Sequence, residues 1–318
     1  MPAVLTNLRV ANAAAIARAG EIIRAGGLVA FPTETVYGLG ADATNDSAVT
    51  SIFAAKGRPQ FNPLIVHVPD IAAAETIVTF NPLARKLAQV FWPGALTLVL
   101  PRKDTKLSLL VSAGLDTVAV RAPSGAVAQK LLAAAGRPIA APSANVSGRV
   151  SPTLASHVAD EFGETVDLIL DDGAATLGLE STVIGFDGDK PVLLRLGAMA
   201  RADIEKIVGP LAAAGEKISS PGQLINHYAP RAKLRLNAHN AEPGEALLAF
   251  GAQVPEGAAM TLNLSATGDV KEAAANLFAM LRELDAGGAQ AIAAMPVPEH
   301  GLGEAINDRL RRAAAPRA

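Results

Sequence analysis

Apolar positions along this chain switch between helical spacing and short continuous runs, and each switch marks an element. Across residues 11–25, alanine and isoleucine keep to helical spacing until Gly26-Gly27 stops the run, as a glycine C-terminus does. Leu28-Val29-Ala30-Phe31 then predicts a buried strand that Pro32 ends. A short helix over Asp46–Ala55, capped at Asn45 or Asp46, precedes a strand at Leu64–Val68 and a helix at Asn81–Phe91. Strands follow at Leu96–Leu100 and Thr117–Val120. Ser124 is placed to cap a helix reaching Ala135, and Pro138–Ala140 is a short strand. Ser151-Pro152 has the form of an N-cap with proline at the first helical position. Strands at Asp167–Leu170, Thr182–Phe186 and Val192–Leu194 close a unit that ends near Gly209.

Strands and helices that alternate in this way favour an open twisted α/β sheet with ligand-binding loops at its strand ends. The rhythm breaks over 210–231, where Ser219-Ser220-Pro221-Gly222 and Ala229-Pro230 bracket a polar stretch without a period, the pattern of a linker. Beyond it, strands are predicted at Lys233–Leu236, Ala246–Phe250, Thr261–Leu264 and Ala291–Met295. Helices are predicted at Asp269–Leu284 and Leu302–Ala313. The expected division is therefore a first domain at 1–209, a linker or lid at 210–231 and a smaller, Rossmann-like α/β domain at 232–318.

Composition narrows the chemistry. Half of the 318 residues are hydrophobic and 18% are charged, enough for a sizeable core and too apolar for global disorder. A net charge of −2 argues against a protein that coats nucleic acid, although it allows a local basic cleft. The absence of cysteine removes disulfides, thiolate zinc sites and cysteine nucleophiles. With no signal-peptide pattern and no apolar run of the roughly 18 residues that span a bilayer, a soluble cytoplasmic protein without membrane contact is expected.

Polar side chains gather where strands end. Lys56 and Arg58 follow the short helix, Asn62 and His67 bracket the next strand, and Arg121 closes an apolar one. Ser143 and Asn145 follow a buried strand, Glu180-Ser181-Thr182 opens another, and Arg195 closes its partner. Singly, each has an ordinary role: cations complementing a helix C-terminus, a core histidine, a surface arginine, turn residues. As a set they suit a polyanion such as a nucleoside triphosphate. Neither of the usual phosphate-loop patterns occurs, nor a G-x-S-x-G elbow, and the five histidines lack metal-ligand spacing. What remains is chemistry by positioning and charge neutralisation, as in nucleotidyl or phosphoryl transfer.

Seven collinear motifs carry a resemblance: P-T-E-T-V-Y-G-L at 32–39, K-G-R-P-x-x-N-P-L at 56–64, W-P-G-x-L-T at 92–97, V-x-V-R-x-P at 118–123, P-S-A-N-x-S-G at 142–148, E-S-T-V at 180–183 and L-R-x-G at 194–197. In order and spacing they resemble the YrdC/TsaC family, and the S-P-G…H-Y-A-P stretch at 220–230 with a small domain after it resembles the long, two-domain form. The resemblance implies a twisted mixed sheet with a concave, positively charged cavity. It implies that L-threonine, bicarbonate and ATP are combined into threonylcarbamoyl-AMP and pyrophosphate. Partner transferase proteins would then pass the threonylcarbamoyl group to tRNA, with any tRNA contact by this chain weak.

Residue by residue, the resemblance makes Lys56, Arg58, Ser143 and Asn145 an ATP-side tetrad with a catalytic role. Asn62, Thr117, Ser151 and Arg195 extend that surface, and Tyr228, with His227 as a weaker candidate, brings the linker over the nucleotide. Thr35, His67, Arg121, Ala141 and Ser181 would surround threonine, Arg121 holding its carboxylate. Mg2+ would arrive on the ATP phosphates without a dedicated protein site. Two alternatives stand beside this reading: a non-catalytic module binding tRNA or double-stranded RNA, and a carbamoyl-transferring relative, which the lack of cysteine-based zinc modules disfavours.

Overall fold

The computed structural model describes residues 6–103, 106–215 and 228–316. In chain order the first part contains β1 (Leu8–Val10), α1 (Ala13–Arg24), β2 (Val29–Pro32), β3 (Tyr37–Asp42), α2 (Asp46–Lys56), β4 (Ile65–His67), α3 (Ile71–Glu75), α4 (Pro82–Phe91), β5 (Leu96–Pro101), β6 (Thr117–Arg121), α5 (Ala126–Ala135) and β7 (Ile139–Ala140). It continues through α6 (Ala155–Phe162), β8 (Leu168–Asp171), β9 (Thr182–Asp187), β10 (Lys190–Arg195), α7 (Arg201–Val208) and β11 (Ala212–Ala213). Among the described residues these strands form one mixed sheet of eleven, in the order β1-β8-β2-β3-β7-β4-β6-β5-β9-β10-β11. The second part contains β12 (Lys233–Arg235), β13 (Glu245–Ala249), β14 (Thr261–Asn263), α8 (Val270–Ala286), β15 (Ala291–Ala294) and α9 (Gly303–Ala313). Its four strands are all parallel, in the order β12-β15-β13-β14. A mixed α/β fold with a second, smaller α/β sheet is what the sequence pattern predicts.

Local chemistry fixes the helix ends. Asn12, Asn45, Asn81 and Asp269 each accept a backbone N–H of the first turn that follows, satisfying donors the helix leaves open. Gly57 ends α2 at φ 57°, a left-handed position that glycine takes without penalty. The reversal lets the Arg58 amide bond back to Phe53, so Lys56 ends the helix and Arg58 begins the loop.

Several predicted details differ. Residues 37–42, to which the sequence pattern assigns no element, are a central strand, because Gly40 makes room for the Phe31 ring; a Cβ there would lie 2.7 Å from that ring. Such a glycine erases the side-chain alternation that signals a strand. Ser124 does not cap α5, whose N-cap is Gly125, and Glu34 accepts the Gly125 N–H at 3.2 Å instead. Ser151 is not a helix cap either, since α6 starts at Ala155 with Leu154 before it. The strand β1, the short helix α3 capped by Asp70, and the helix α7 went unpredicted. Within the 210–231 stretch, β11 pairs with β10 in the large sheet, while 216–227, with Ser219–Gly222 and His227, lies outside the described residues.

Alternation along β2 separates two cores. Val29 and Phe31 pack with α1 and α5 on one face, and Ala30 faces the opposite cluster with Leu39 and Val66. A third core belongs to the C-terminal domain but also takes in Val36, Val150 and Leu179 from the first. The close approach is at Gly178, φ 69°, where an added Cβ would sit 2.5 Å from backbone atoms of Ala274 and Ala275 in α8. Gly178→Ala is therefore expected to cost about 2–4 kcal/mol, from left-handed strain plus overpacking. Urea unfolding measures it; a loss below about 0.5 kcal/mol would mean that the two domains do not press together here.

Candidate active site

Strand register brings the separated motifs together. β4 and β6 run parallel with His67 beside Arg121, so both side chains leave the sheet at the same end. The Ala141 N–H donates to Ile65 O at 2.9 Å, and Ser143 bridges to Gly38, which draws the loop after β7 across that end. The result is an open hollow with about 550 Å³ of empty space when the solvent at its mouth is counted. Its walls include Thr35, Arg58, His67, Arg121, Ala141, Ser143, Ser181, Arg195 and Tyr228, nine of the residues singled out by sequence, together with Glu180.

One side of the hollow centres on Arg121. Its Nη1 donates to Thr35 Oγ1 at 2.9 Å and its Nε to Gly94 O at 3.1 Å. Its Nη2 lies 2.7 Å from Glu34 Oε1, an ion pair whose angles fall short of a hydrogen bond. A guanidinium has five N–H groups, so donors remain for a ligand carboxylate. Burial alone would raise the Glu34 pKa, but the Arg121 charge and hydrogen bonds to Glu34 outweigh it and hold the group at about 2. Burial, then the Arg121 charge, lowers His67 to about 3, so its ring is neutral near pH 7. Its Nδ1 has no hydrogen-bond partner among the described residues. Ser181 Oγ lies 2.7 Å from Thr97 Oγ1 and accepts from Arg195 Nη2 at 3.2 Å.

The other side is cationic. Arg58 donates from Nε to Asn62 O at 3.1 Å and from Nη2 to Pro63 O at 2.8 Å, which fixes its planar head against the wall. Burial first, then the nearby Arg195 charge, pulls its pKa down to about 10. Arg195 is anchored by donation to Ser181 O at 3.2 and 2.8 Å. Tyr228 is buried at φ 67° and stacks on Phe278, ring centres 5.7 Å apart.

Five residues singled out by sequence do not line the hollow. Lys56 is buried, and its ammonium donates to the carbonyls of Ser143 and Asn145, holding that loop from behind. Burial and then the Arg58 charge lower its pKa well below the usual value. Asn145 donates to Val146 O and Arg149 O, while its Oδ1 has no partner among the described residues. Asn62 is 1% exposed, yet neither of its amide atoms has a partner among the described residues. The Ser151 hydroxyl donates to Glu180. Thr117 opens β6 at the end opposite Arg121, and the register of β4 with β6 carries it toward Pro63 rather than toward the His67 end.

Sequence reasoning missed Arg309. This fully buried arginine of α9 donates from Nε to Glu180 at 3.0 Å and from Nη2 to Leu196 O at 2.8 Å. Burial would raise the Glu180 pKa, but Arg309 and Arg195 keep it below the ordinary carboxylate value. A signal was available: Arg309 shares a helical face with Ala305, Ile306, Leu310 and Ala313, all buried. A charge on such a face implies a buried partner.

These features define a two-domain α/β protein whose pocket is lined by the buried arginines Arg58, Arg121 and Arg195. Residues 21–197 match the Sua5/YciO/YrdC family, described as telomere recombination, and 199–315 match the threonylcarbamoyl-AMP synthase C-terminal domain. The chain is 43% identical to threonylcarbamoyl-AMP synthase of Pyrococcus abyssi over 93% of its length and 92% of the relative's. It is 42% identical to the enzyme of that name from Bacillus subtilis, covering 95% and 93%. The crystal structure of P. abyssi Sua5 complexed with L-threonine superposes with a TM-score of 0.88 at 41% identity, covering 94% of both chains. The chain belongs to the Sua5/YciO/YrdC family, in its long two-domain form.

The depressed Glu34 pKa has a stability consequence. A carboxyl held at about 2 against an ordinary 4.5 contributes stability above pH 4.5 and loses it as pH falls toward 2, about 3 kcal/mol in all. Wild type is expected to lead Glu34→Gln by about that much at pH 7, the lead shrinking over pH 4.5 to 2. Urea unfolding at several pH values measures this, and a lead that stays flat across the range would contradict the Glu34–Arg121 pairing.

Proposed function

We propose that this chain makes threonylcarbamoyl-AMP and pyrophosphate from L-threonine, bicarbonate and ATP, as a nucleotidyltransferase serving tRNA threonylcarbamoyladenosine formation. The observation that carries the reading is one pocket with two differently built sides. The side with Arg121, Thr35, His67 and Ser181 suits an amino acid, and the side with Arg58, Arg195 and Ser143 suits phosphates. Relatives of nearly the same length bear the enzyme's name, and the structure of P. abyssi Sua5 is described as complexed with L-threonine. A module that only binds RNA would need an extended basic surface, whereas these arginines are buried inside a hollow.

In this mechanism the threonine carboxylate takes the remaining Arg121 donors, while Thr35, His67 and Ser181 orient the hydroxyl and amine. Threonine amine and bicarbonate condense to a carbamate with loss of water. A carbamate oxygen then attacks the α-phosphorus of ATP, and pyrophosphate leaves. Arg58 and Arg195 offset the charge that accumulates on the phosphates. In this reading Tyr228 covers the nucleotide, while Asn62 and Thr117, which do not line the hollow, take no assigned contact. Lys56 and Asn145 act through the loop that carries Ser143, and Ser151 acts through Glu180.

Glu34 at about 2 and His67 at about 3 are weak bases at neutral pH, so they serve as holders rather than proton acceptors. Among the described residues no three His, Asp or Glu side chains gather as metal ligands, and Glu34 and Glu180 are already paired with arginines. In this reading a Mg2+ would come with the triphosphate, where it would neutralise phosphate charge. The product would pass to a transferase acting on tRNA. No helix among the described residues is long and apolar enough to cross a membrane.

Pyrophosphate release is the direct assay, with threonine or bicarbonate omitted in turn. Release is expected only when all three substrates are present. Arg58→Ala is expected to lower kcat/KM by about 10- to 1000-fold, the scale of losing one such electrostatic contact. A rate near that of wild type would remove Arg58 from the mechanism.

A further inference from the structure

We infer that Arg309 is a positioning residue for the pocket and that the C-terminal domain thereby braces one of the pocket's walls from behind. Several independent contacts converge on that wall. The α8 backbone packs against Gly178 with no room for a side chain, and Leu179 is buried in the C-terminal core. Arg309 then takes the next residue, Glu180, and also Leu196 O. Both acceptors adjoin pocket side chains: Glu180 precedes Ser181, and Leu196 follows Arg195. The Arg309 guanidinium also lies 4.8 Å from the centre of the Tyr228 ring, which stacks on Phe278 of α8.

The chemistry of the contact favours geometry over stability as its purpose. A buried ion pair gives little net stabilisation compared with apolar packing of the same volume, but its hydrogen bonds fix angles that apolar contacts leave loose. Arg309 is 0% exposed, and its Nη1 also reaches Asp308 at 2.6 Å, so the head is held on several sides. Through Glu180, Leu196 and Tyr228 it sets where Ser181, Arg195 and the tyrosine ring meet a ligand. The large sheet supplies the wall residues but not these braces, which come from α8 and α9. The role rests on the reading of the pocket as a threonine and ATP site.

The test compares KM with kcat in full-length variants assayed by pyrophosphate release. Arg309→Lys keeps the charge but loses the planar fork. Phe278→Leu removes the ring stacked on Tyr228 and leaves every charge in place. Glu304→Gln breaks a different ion pair across the same seam, Arg201–Glu304 at 3.2 Å, away from the pocket. Misfolding of part of a sample lowers the apparent kcat without moving KM, so KM reports position. Arg309→Lys is expected to raise KM for ATP and for threonine by about 10- to 100-fold, the scale of a small misplacement of binding groups. Phe278→Leu is expected to raise KM for ATP, and Glu304→Gln to leave both values at wild type. Wild-type KM values in both Arg309→Lys and Phe278→Leu would overturn the proposal. Should Arg309→Lys fail to fold, Phe278→Leu decides alone. Absence of threonine-dependent release in wild type would instead refute the activity and leave the positioning question to direct ATP binding by the same variants.

Discussion

Buried positive charge is the constraint around which this molecule is arranged. At the pocket, the buried Arg58, Arg121, Arg195 and Arg309 outnumber the carboxylates paired with them among the described residues, Glu34 with Arg121, and Glu180 and Asp308 with Arg309. Like charges held close in a low-dielectric interior repel one another, and burial adds its own cost. The lowered Arg58 pKa, caused by burial and then by Arg195, records that tension. The proposed substrates, a triphosphate and an amino-acid carboxylate, are anions that would relieve this repulsion.

The fold holds these charges with backbone carbonyls as well as with counter-ions. Carbonyls of Asn62, Pro63, Gly94 and Ser181 receive guanidinium donors, and Ser143 and Asn145 receive the Lys56 ammonium. Carbonyl oxygens steer a cation without neutralising it, so the heads keep their direction and their appetite for phosphate. Strand register supplies the rest of the precision, since His67 and Arg121 face the same end because β4 and β6 pair in parallel. Only at Glu180 does a carboxylate enter the wall, and its charge is answered from the other domain.

Much of this was legible in the sequence, for identifiable reasons. Helix caps such as Asn45 and Asn81 and the apolar runs of β2, β4 and β6 act locally, so spacing reveals them. The residues at strand ends were visible as polar groups beside apolar runs. What failed to show was non-local. Gly40 belongs to a strand because of the Phe31 ring beside it, and Ser151 serves Glu180, 29 positions away, rather than the helix that follows. Lys56 looked like a ligand-facing cation and instead braces a loop, a distinction set by which way its long side chain turns. Arg309 is the extreme case, joined to Glu180 across 129 positions.

The most direct measurement is a structure of the full chain with L-threonine and a non-hydrolysable ATP analogue bound. Charge balance requires the amino-acid carboxylate within hydrogen-bond distance of Arg121 and the phosphates against Arg58 and Arg195, in a single continuous hollow beneath Tyr228. Ligands bound elsewhere, with those three guanidinium groups left facing one another across empty space, would contradict it.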